Sequence, residues 1–256
     1  MDVMRAQLLL IPLALLSSAG SPKPITVYLA GDSTMAEKAA DKRPETGWGE
    51  KLGQYFRPED VRIANRAMNG RSTRTFIAEG RWQAITDSLV AGDYVFIQFG
   101  HNDESPAKVG SYTPPDDFKR NLTRMVGDVR AKGAFPVLFT PVQRRKFNDA
   151  GRLEDTHGEY PGYTRSVAAE LKVPLVDMLV SSGEVLSSYG ADSSTKLFLQ
   201  LEAGANPNYP QGVHDNTHFN PLGAELMARL AVEAIRSLKL GLADQLKSSR
   251  APAMAH

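Results

Sequence analysis

At 256 residues the chain suits one domain or at most two small ones, and with 42% hydrophobic and 23% charged residues it has a globular composition, neither fibrous nor disordered. A formal charge of +1, with no basic run longer than Arg144-Arg145-Lys146, makes no electrostatic case for a nucleic-acid partner or for stable membrane association. The absence of cysteine excludes disulfides, thiolate metal sites and a Cys nucleophile.

The N-terminus carries Arg5, then the apolar run Leu8–Leu16, then Ser17-Ser18-Ala19-Gly20. A basic start, a short apolar stretch and small residues are the pattern of a cleavable signal peptide, expected over residues 1–20. The run is shorter than the roughly 20 residues a membrane span needs. The competing reading is a buried first strand or helix. Secretion, or export to a bacterial periplasm, is the expectation, with the folded domain over 21–246 and a disordered tail over 247–256.

Ile25–Ala30 reads as a strand ending at Gly31, and Trp48–Phe56 as a short helix. Val61–Ala64 is a second strand and Thr75–Leu89 a helix. Tyr94–Phe99 (YVFIQF) is an unbroken apolar run, as in a strand covered on both faces. Asp116–Ala131 has Phe118, Leu122, Met125 and Val129 on one helical stripe. Phe135–Thr140 is a strand, Tyr160–Leu171 a helix and Pro174–Asp177 a short strand. Asn220 and Pro221 open a last helix, with Leu222, Leu226, Leu230, Ala234 and Leu238 recurring every four residues and Met227 and Ile235 beside them. Strands alternating with helices predict an α/β domain with a mainly parallel sheet and helices on both faces. In such sheets the ligand site lies beyond the carboxyl ends of the strands.

Three of these strands run directly into polar, glycine-bearing segments: Gly31-Asp32-Ser33, then Asn65 to Ser72 (NRAMNGRS), then Gly100-His101-Asn102-Asp103. A fourth segment, Asp215-Asn216-Thr217-His218, precedes the last helix and is expected as one turn. Together they place a hydroxyl, a glycine amide, a carboxamide and an Asp/His pair at one sheet edge. Acyl transfer needs these parts. A serine is a weak nucleophile until a base takes its proton. Histidine can take that proton and return it to the leaving alkoxide. A carboxylate fixes the imidazole tautomer, and amide donors receive the developing oxyanion.

The segments AGDST, NGRS, FGHND and DNTHF, in this order, resemble the four sequence blocks of the SGNH (GDSL-type) hydrolases. The stretches TGWGEKL, NGRSTRTF, FGHNDES, TPVQRR, DTHGEYP and PNYPQGVHDNTHFN are similar to the rhamnogalacturonan acetylesterase-like branch and extend the likeness over residues 25–235. The resemblance implies a flavodoxin-like three-layer α/β/α fold and hydrolysis of acetyl esters on pectic or other plant polysaccharides, without metal or organic cofactor. It implies Ser33 as nucleophile, His218 as base and acid, Asp215 as its orienting carboxylate, and an oxyanion hole of the Ser33 and Gly70 amides with the Asn102 side chain. Asn69 departs from the Gly or other small residue expected before Gly70.

Other residues carry two readings each. Arg71, Arg74, Arg144 and Arg145 follow strand ends, where guanidinium forks could bind a uronate carboxylate or simply pair within the fold. His157 braces a loop or lines the cleft. His101 braces the third loop. Trp48 is core or sugar platform. His214 and His218 are four residues apart, but no Glu lies between them and Pro221 places them before the helix, so the spacing is not that of a zinc helix. Asn121-Leu122-Thr123 is a glycosylation sequon that only a eukaryotic host would use. The rival functions are acetylxylan esterase, lipid esterase or thioesterase on the same fold, and a carbohydrate-binding protein without catalysis.

Overall fold

The computed structural model describes residues 23–248, so the expected signal peptide and most of the expected tail lie outside the described residues. Strand β1 (Ile25–Gly31) leads to the one-turn helix α1 (Gly49–Leu52), and β2 (Val61–Asn65) to α2 (Thr73–Ala78) and α3 (Arg81–Ser88). Then come β3 (Tyr94–Gln98), α4 (Pro115–Ala131), β4 (Phe135–Phe139), α5 (Tyr160–Leu171), β5 (Leu175–Val176) and α6 (Met178–Ser193). A hairpin of β6 (Phe198–Leu201) and β7 (Val213–Phe219) precedes α7 (Pro221–Ser237). The first five strands form one sheet in the order β2-β1-β3-β4-β5, and every pairing in it is parallel.

The pleat explains the unbroken apolar runs. Alternate residues of a strand face opposite sides of the sheet. Val27, Leu29, Phe96, Val137 and Phe139 enter one core with residues of α1, α6 and α7. Tyr28, Ala30, Val95, Ile97 and Leu138 enter the other with residues of α2 to α5. Both faces are buried, so both residue parities must be apolar. Parallel pairing also sets polarity: β1, β2 and β3 all deliver their carboxyl ends to the same edge.

The differences from expectation have local causes. The helix expected over Thr75–Leu89 breaks in two at Gly80, whose φ of 71° leaves the helical region. Ser72 starts α2 by accepting the Thr75 N–H, while Thr75 Oγ1 accepts the Ser72 N–H, a reciprocal cap that fixes the chain just beyond Gly70. The helix expected over Trp48–Phe56 shortens to α1 followed by a 3₁₀ turn at Gly53–Tyr55.

In α7 the buried face is Gly223, Ala224, Met227, Ala228, Ala231, Val232 and Ile235, while Leu222 and Leu238 are exposed. Small residues make the contact face because the helix sits close to its neighbours. A Cβ on Gly223 would collide with the Leu197 carbonyl. Helix α6 and the β6–β7 hairpin are absent from the expectations, and Asp215–His218 lies in a strand rather than a turn. At the far end Leu246 is buried and the Lys247 N–H bonds the Tyr55 carbonyl, so the fold continues past residue 246.

Candidate active site

Ser33 stands in a turn built around the carboxylate of Asp32. Asp32 is fully buried, and its Oδ1 accepts both the Thr34 N–H (2.9 Å) and the Thr34 hydroxyl (2.8 Å). Its Oδ2 faces His101 Nδ1 at 3.2 Å. Gln98 Nε2 donates to Thr34 Oγ1 at 2.8 Å, and Trp48 Nε1 donates to Gln98 Oε1 at 3.1 Å. Trp48 is therefore core, stacked on Phe139, and not a sugar platform.

His218 arrives from the hairpin. His218 Nε2 is 2.8 Å from Ser33 Oγ, and His218 Nδ1 is 2.7 Å from Asp215 Oδ2. The other oxygen of Asp215 accepts the N–H groups of Thr217 (2.7 Å) and His218 (2.9 Å), which folds the strand so that both side chains meet. Burial alone would raise the Asp215 pKa, but the His218 ring and these amides outweigh it and hold it down at about 2. An ionised Asp215 can only accept, so Nδ1 carries the ring proton and Nε2 is left to accept from the Ser33 hydroxyl. The segment is tied down by Gln200 Nε2 on the Asp215 carbonyl (2.9 Å) and by Arg145, whose N–H bonds the Asn216 carbonyl (2.8 Å). Asn220 then caps α7 by accepting from Leu222 and Gly223.

The second and third strand ends supply amide donors. Gly70 has φ of 75°, a left-handed turn conformation suited to glycine. Neither the Ser33 nor the Gly70 N–H meets a hydrogen-bond acceptor among the described residues. Asn102 donates one N–H to the Arg71 carbonyl at 3.1 Å, which leaves its second amide hydrogen free. Asp103 joins the two loops by accepting the Thr73 N–H (2.9 Å) and hydroxyl (2.6 Å). Asn121 of the sequon donates to that same hydroxyl at 3.1 Å.

Lys38 is a member of this assembly that the motifs do not reveal. Its side chain is fully buried, and its ammonium meets the Ser33 carbonyl (2.5 Å), Asn69 Oδ1 (2.8 Å) and Glu45 (2.8 Å). The unexpected Asn69 thus serves as an acceptor for a buried cation that joins the first loop to the second.

The residues expected to touch substrate have other partners. Arg74 donates to the carbonyls of Tyr112, Val109 and Gly110. Arg144 donates to Glu104, Thr156 and the His101 carbonyl. His157 is buried between Glu104 (2.6 Å) and the Val142 carbonyl (3.0 Å), and so braces the loop that carries Asn102. Arg71 binds Glu79 and the Asn69 carbonyl, yet it also lines an open groove beside Gly70.

Comparison with known proteins shows the family. Residues 29–226 match the model of the GDSL-like Lipase/Acylhydrolase family. The chain belongs to that family. It is a carboxylic ester hydrolase. It is 44% identical to the rhamnogalacturonan acetylesterase RhgT of Bacillus subtilis over 226 residues, covering 88% of this chain and 96% of that one. The crystal structure of YxiM from Bacillus subtilis superposes with a TM-score of 0.73 at 28% identity, over 86% of this chain and 58% of that one. Axe2, an acetylxylan esterase from Geobacillus stearothermophilus, shares the fold with a TM-score of 0.57 at 18% identity, over 84% of this chain and 95% of that one. The expected three-layer α/β/α architecture is that of this hydrolase fold.

Removing Lys38 leaves Glu45 without its partner in a largely buried position, a type of loss worth about 3 kcal/mol. Lys38→Met is therefore expected to lower the urea unfolding midpoint markedly and to reduce esterase turnover in the folded fraction. An unfolding curve like that of the native chain would show the ammonium to be dispensable.

The buried acids and His101 set a specific pH response. Burial pushes His101 down to about 4 against the pull of Asp32, so its protonation in the unfolded chain removes stability as pH falls from about 6.5 to 4. Burial pushes Asp103 up to about 7, so ionisation in the unfolded chain removes stability as pH rises from about 4 to 7. These two slopes oppose each other. Burial would raise Asp32 too, but His101 and Thr34 hold it at about 2, and Asp215 is held equally low. Both lose their stabilising contribution as pH falls from about 4 to 2. Unfolding free energy is expected to be level between pH 4 and 7 and to drop below pH 4 by up to about 2 kcal/mol per unit, with half-exposed Asp215 discounted. Urea titrations across that range check the shape, and Asp103→Asn is expected to tilt the plateau so that stability climbs with pH.

Proposed function

We propose that the chain is an exported serine acetylesterase that removes O-acetyl groups from a plant cell-wall polysaccharide, with acetylated rhamnogalacturonan the first candidate. The observation that carries this reading is the hydrogen-bonded line from Asp215 through His218 to Ser33, beside two unengaged backbone N–H groups and one free amide hydrogen. His218 Nε2 takes the Ser33 proton as Oγ attacks the acetyl carbonyl. The carbonyl oxygen becomes an oxyanion received by the N–H groups of Ser33 and Gly70 and the side chain of Asn102, each donor typically worth about 10²–10³ in rate. Collapse breaks the ester bond, and His218 returns the proton to the sugar oxygen as it leaves. A water molecule then gives His218 a proton and attacks the acetyl-enzyme, releasing acetate and restoring Ser33.

The substrate class rests on likeness to a rhamnogalacturonan acetylesterase at 44% identity. The groove beside Gly70 supports it, because Arg71, Thr75, Glu79, Lys108 and Ser111 make a polar wall suited to sugar rather than an acyl chain. Export is supported by Arg5, the apolar run and the small residues after it, and by the size of a polymer that must be met outside the cell. No helix among the described residues is long and apolar enough to cross a membrane. Acetylxylan is the second reading, favoured by the shared fold with Axe2.

Acetate release from acetylated rhamnogalacturonan, acetylated xylan, and short- and long-chain p-nitrophenyl esters tests the proposal. The expected result is preference for the pectic polymer, with Ser33→Ala folded but at least about 10³-fold slower. Preference for xylan would move the substrate, preference for long acyl chains would overturn the carbohydrate reading, and an active Ser33→Ala would overturn the mechanism.

A further inference from the structure

The groove beside Gly70 has a volume of about 410 Å³, within the range of roughly 300–1,000 Å³ usual for small-ligand sites. One wall is Arg71, at the end of the loop that carries Gly70. The other is Lys108 with the turn Val109-Gly110-Ser111.

Both walls are tied to the loop that holds Asn102. The Arg71 carbonyl accepts from the Asn102 side chain at 3.1 Å, and Lys108 Nζ lies 3.5 Å from the His101 carbonyl. The Lys108 turn is also held from behind, since Arg74 donates to the carbonyls of Val109, Gly110 and Tyr112 at 2.9–3.0 Å. The turn is thus fixed before any ligand arrives, although Val109 at its tip is 81% exposed.

The charge in this groove is unbalanced. Glu79 is the single carboxylate on its wall, and it is shared between Arg71 Nε (3.0 Å) and Arg81 Nε (2.6 Å). Arg71 and Arg81 share that one carboxylate, and Lys108 on the groove wall pairs with no carboxylate among the described residues. Arg71 Nη1 donates to the Asn69 carbonyl, and Nη2 finds no partner among the described residues. The groove offers one open guanidinium edge and, on an exposed residue, one ammonium held by a single long bond to the His101 carbonyl, both lining the groove with the oxyanion glycine.

We propose that Arg71 and Lys108 form a subsite for a sugar carboxylate, seating a uronate of the polymer in the groove beside Gly70 while an acetylated sugar is held at Ser33. This rests on the acetylesterase reading and deepens it, because it assigns recognition of the polymer's negative charge to two named residues. A guanidinium edge and an ammonium on opposite walls suit a carboxylate, which accepts on both oxygens. Neutral xylan has no group to match them.

The test is calorimetric binding of trigalacturonate and of xylotriose to the full chain carrying Ser33→Ala, at low and high salt. The expected result is trigalacturonate bound about tenfold more tightly than xylotriose at low salt, with the preference largely lost at high salt. Adding Lys108→Ala is expected to weaken trigalacturonate binding about threefold to fivefold. Arg71→Gln should weaken it similarly, and Arg71→Lys should restore part of the loss, which loosening of the loop alone would not allow. Equal affinity for the two trisaccharides, or unchanged binding in both charge-removing variants, would overturn the subsite. Acetate release by the chain with Ser33 intact is scored separately. Release without carboxylate preference defeats the subsite alone, whereas carboxylate binding without release from any polysaccharide defeats the esterase reading alone.

Discussion

The site depends first on a buried carboxylate. Asp32 has no exposure to water, and its ionised form is satisfied by Thr34 and His101. A buried charge without such partners would cost several kcal/mol, so the turn around Ser33 is held in the geometry that supplies them. The same partners reach outward. Thr34 is bonded by Gln98 at the end of β3, Gln98 by Trp48 in the core, and His101 precedes Asn102. One carboxylate thereby links the Ser33 turn, the central strand and the third loop.

His218 is positioned by different means. Ser33, Gly70 and Asn102 come from neighbouring parallel strands, whose register fixes their spacing. His218 comes from an antiparallel hairpin outside that sheet. Its position relies on the Asp215 carboxylate folding its own strand, on Arg145 and Gln200 holding the backbone, and on the capped start of α7 at Asn220. The close seat of Gly223 against Leu197 lets that helix start lie flat on the hairpin. Sheet register and a helix cap, two unrelated constraints, meet across the 2.8 Å bond between Ser33 and His218.

The sheet was legible in the sequence because strands covered on both faces must be apolar at every position, as in Tyr94–Gln98. Ser33, Gly70 and Asn102 were legible because each lies in a polar segment that follows such a strand, and Asp215 and His218 because they precede the capped start of α7. The hairpin was not legible. Val213–Phe219 is half-exposed and polar, and it is a strand only because it pairs with Phe198–Leu201 across the loop 202–212, which carries no two-residue hairpin signal. Helix α6 is rich in Ser and Gly and buries only Met178, Ser182 and Leu186, so its apolar periodicity is faint. In α7 the buried face holds Met227 and Ile235, but it is centred on Gly223, Ala224, Ala228 and Ala231 rather than on the leucine row, whose Leu226 and Leu230 are only partly buried. The arginines after strand ends look alike in sequence; whether each meets a carbonyl or open space is decided by loops such as 108–112.

The central claim is that Ser33 is a nucleophile activated through His218 by Asp215. An organophosphate ester such as diethyl p-nitrophenyl phosphate tests it most directly, because the displaced nitrophenolate is counted while the phosphoryl group stays on the attacking atom. Mass spectrometry of the digested protein should find one phosphoryl group per chain, on the peptide containing Ser33. The reaction should be greatly slowed in Asp215→Asn and absent in His218→Ala. An adduct on another residue, or labelling of Ser33 at the same rate without His218, would contradict the account.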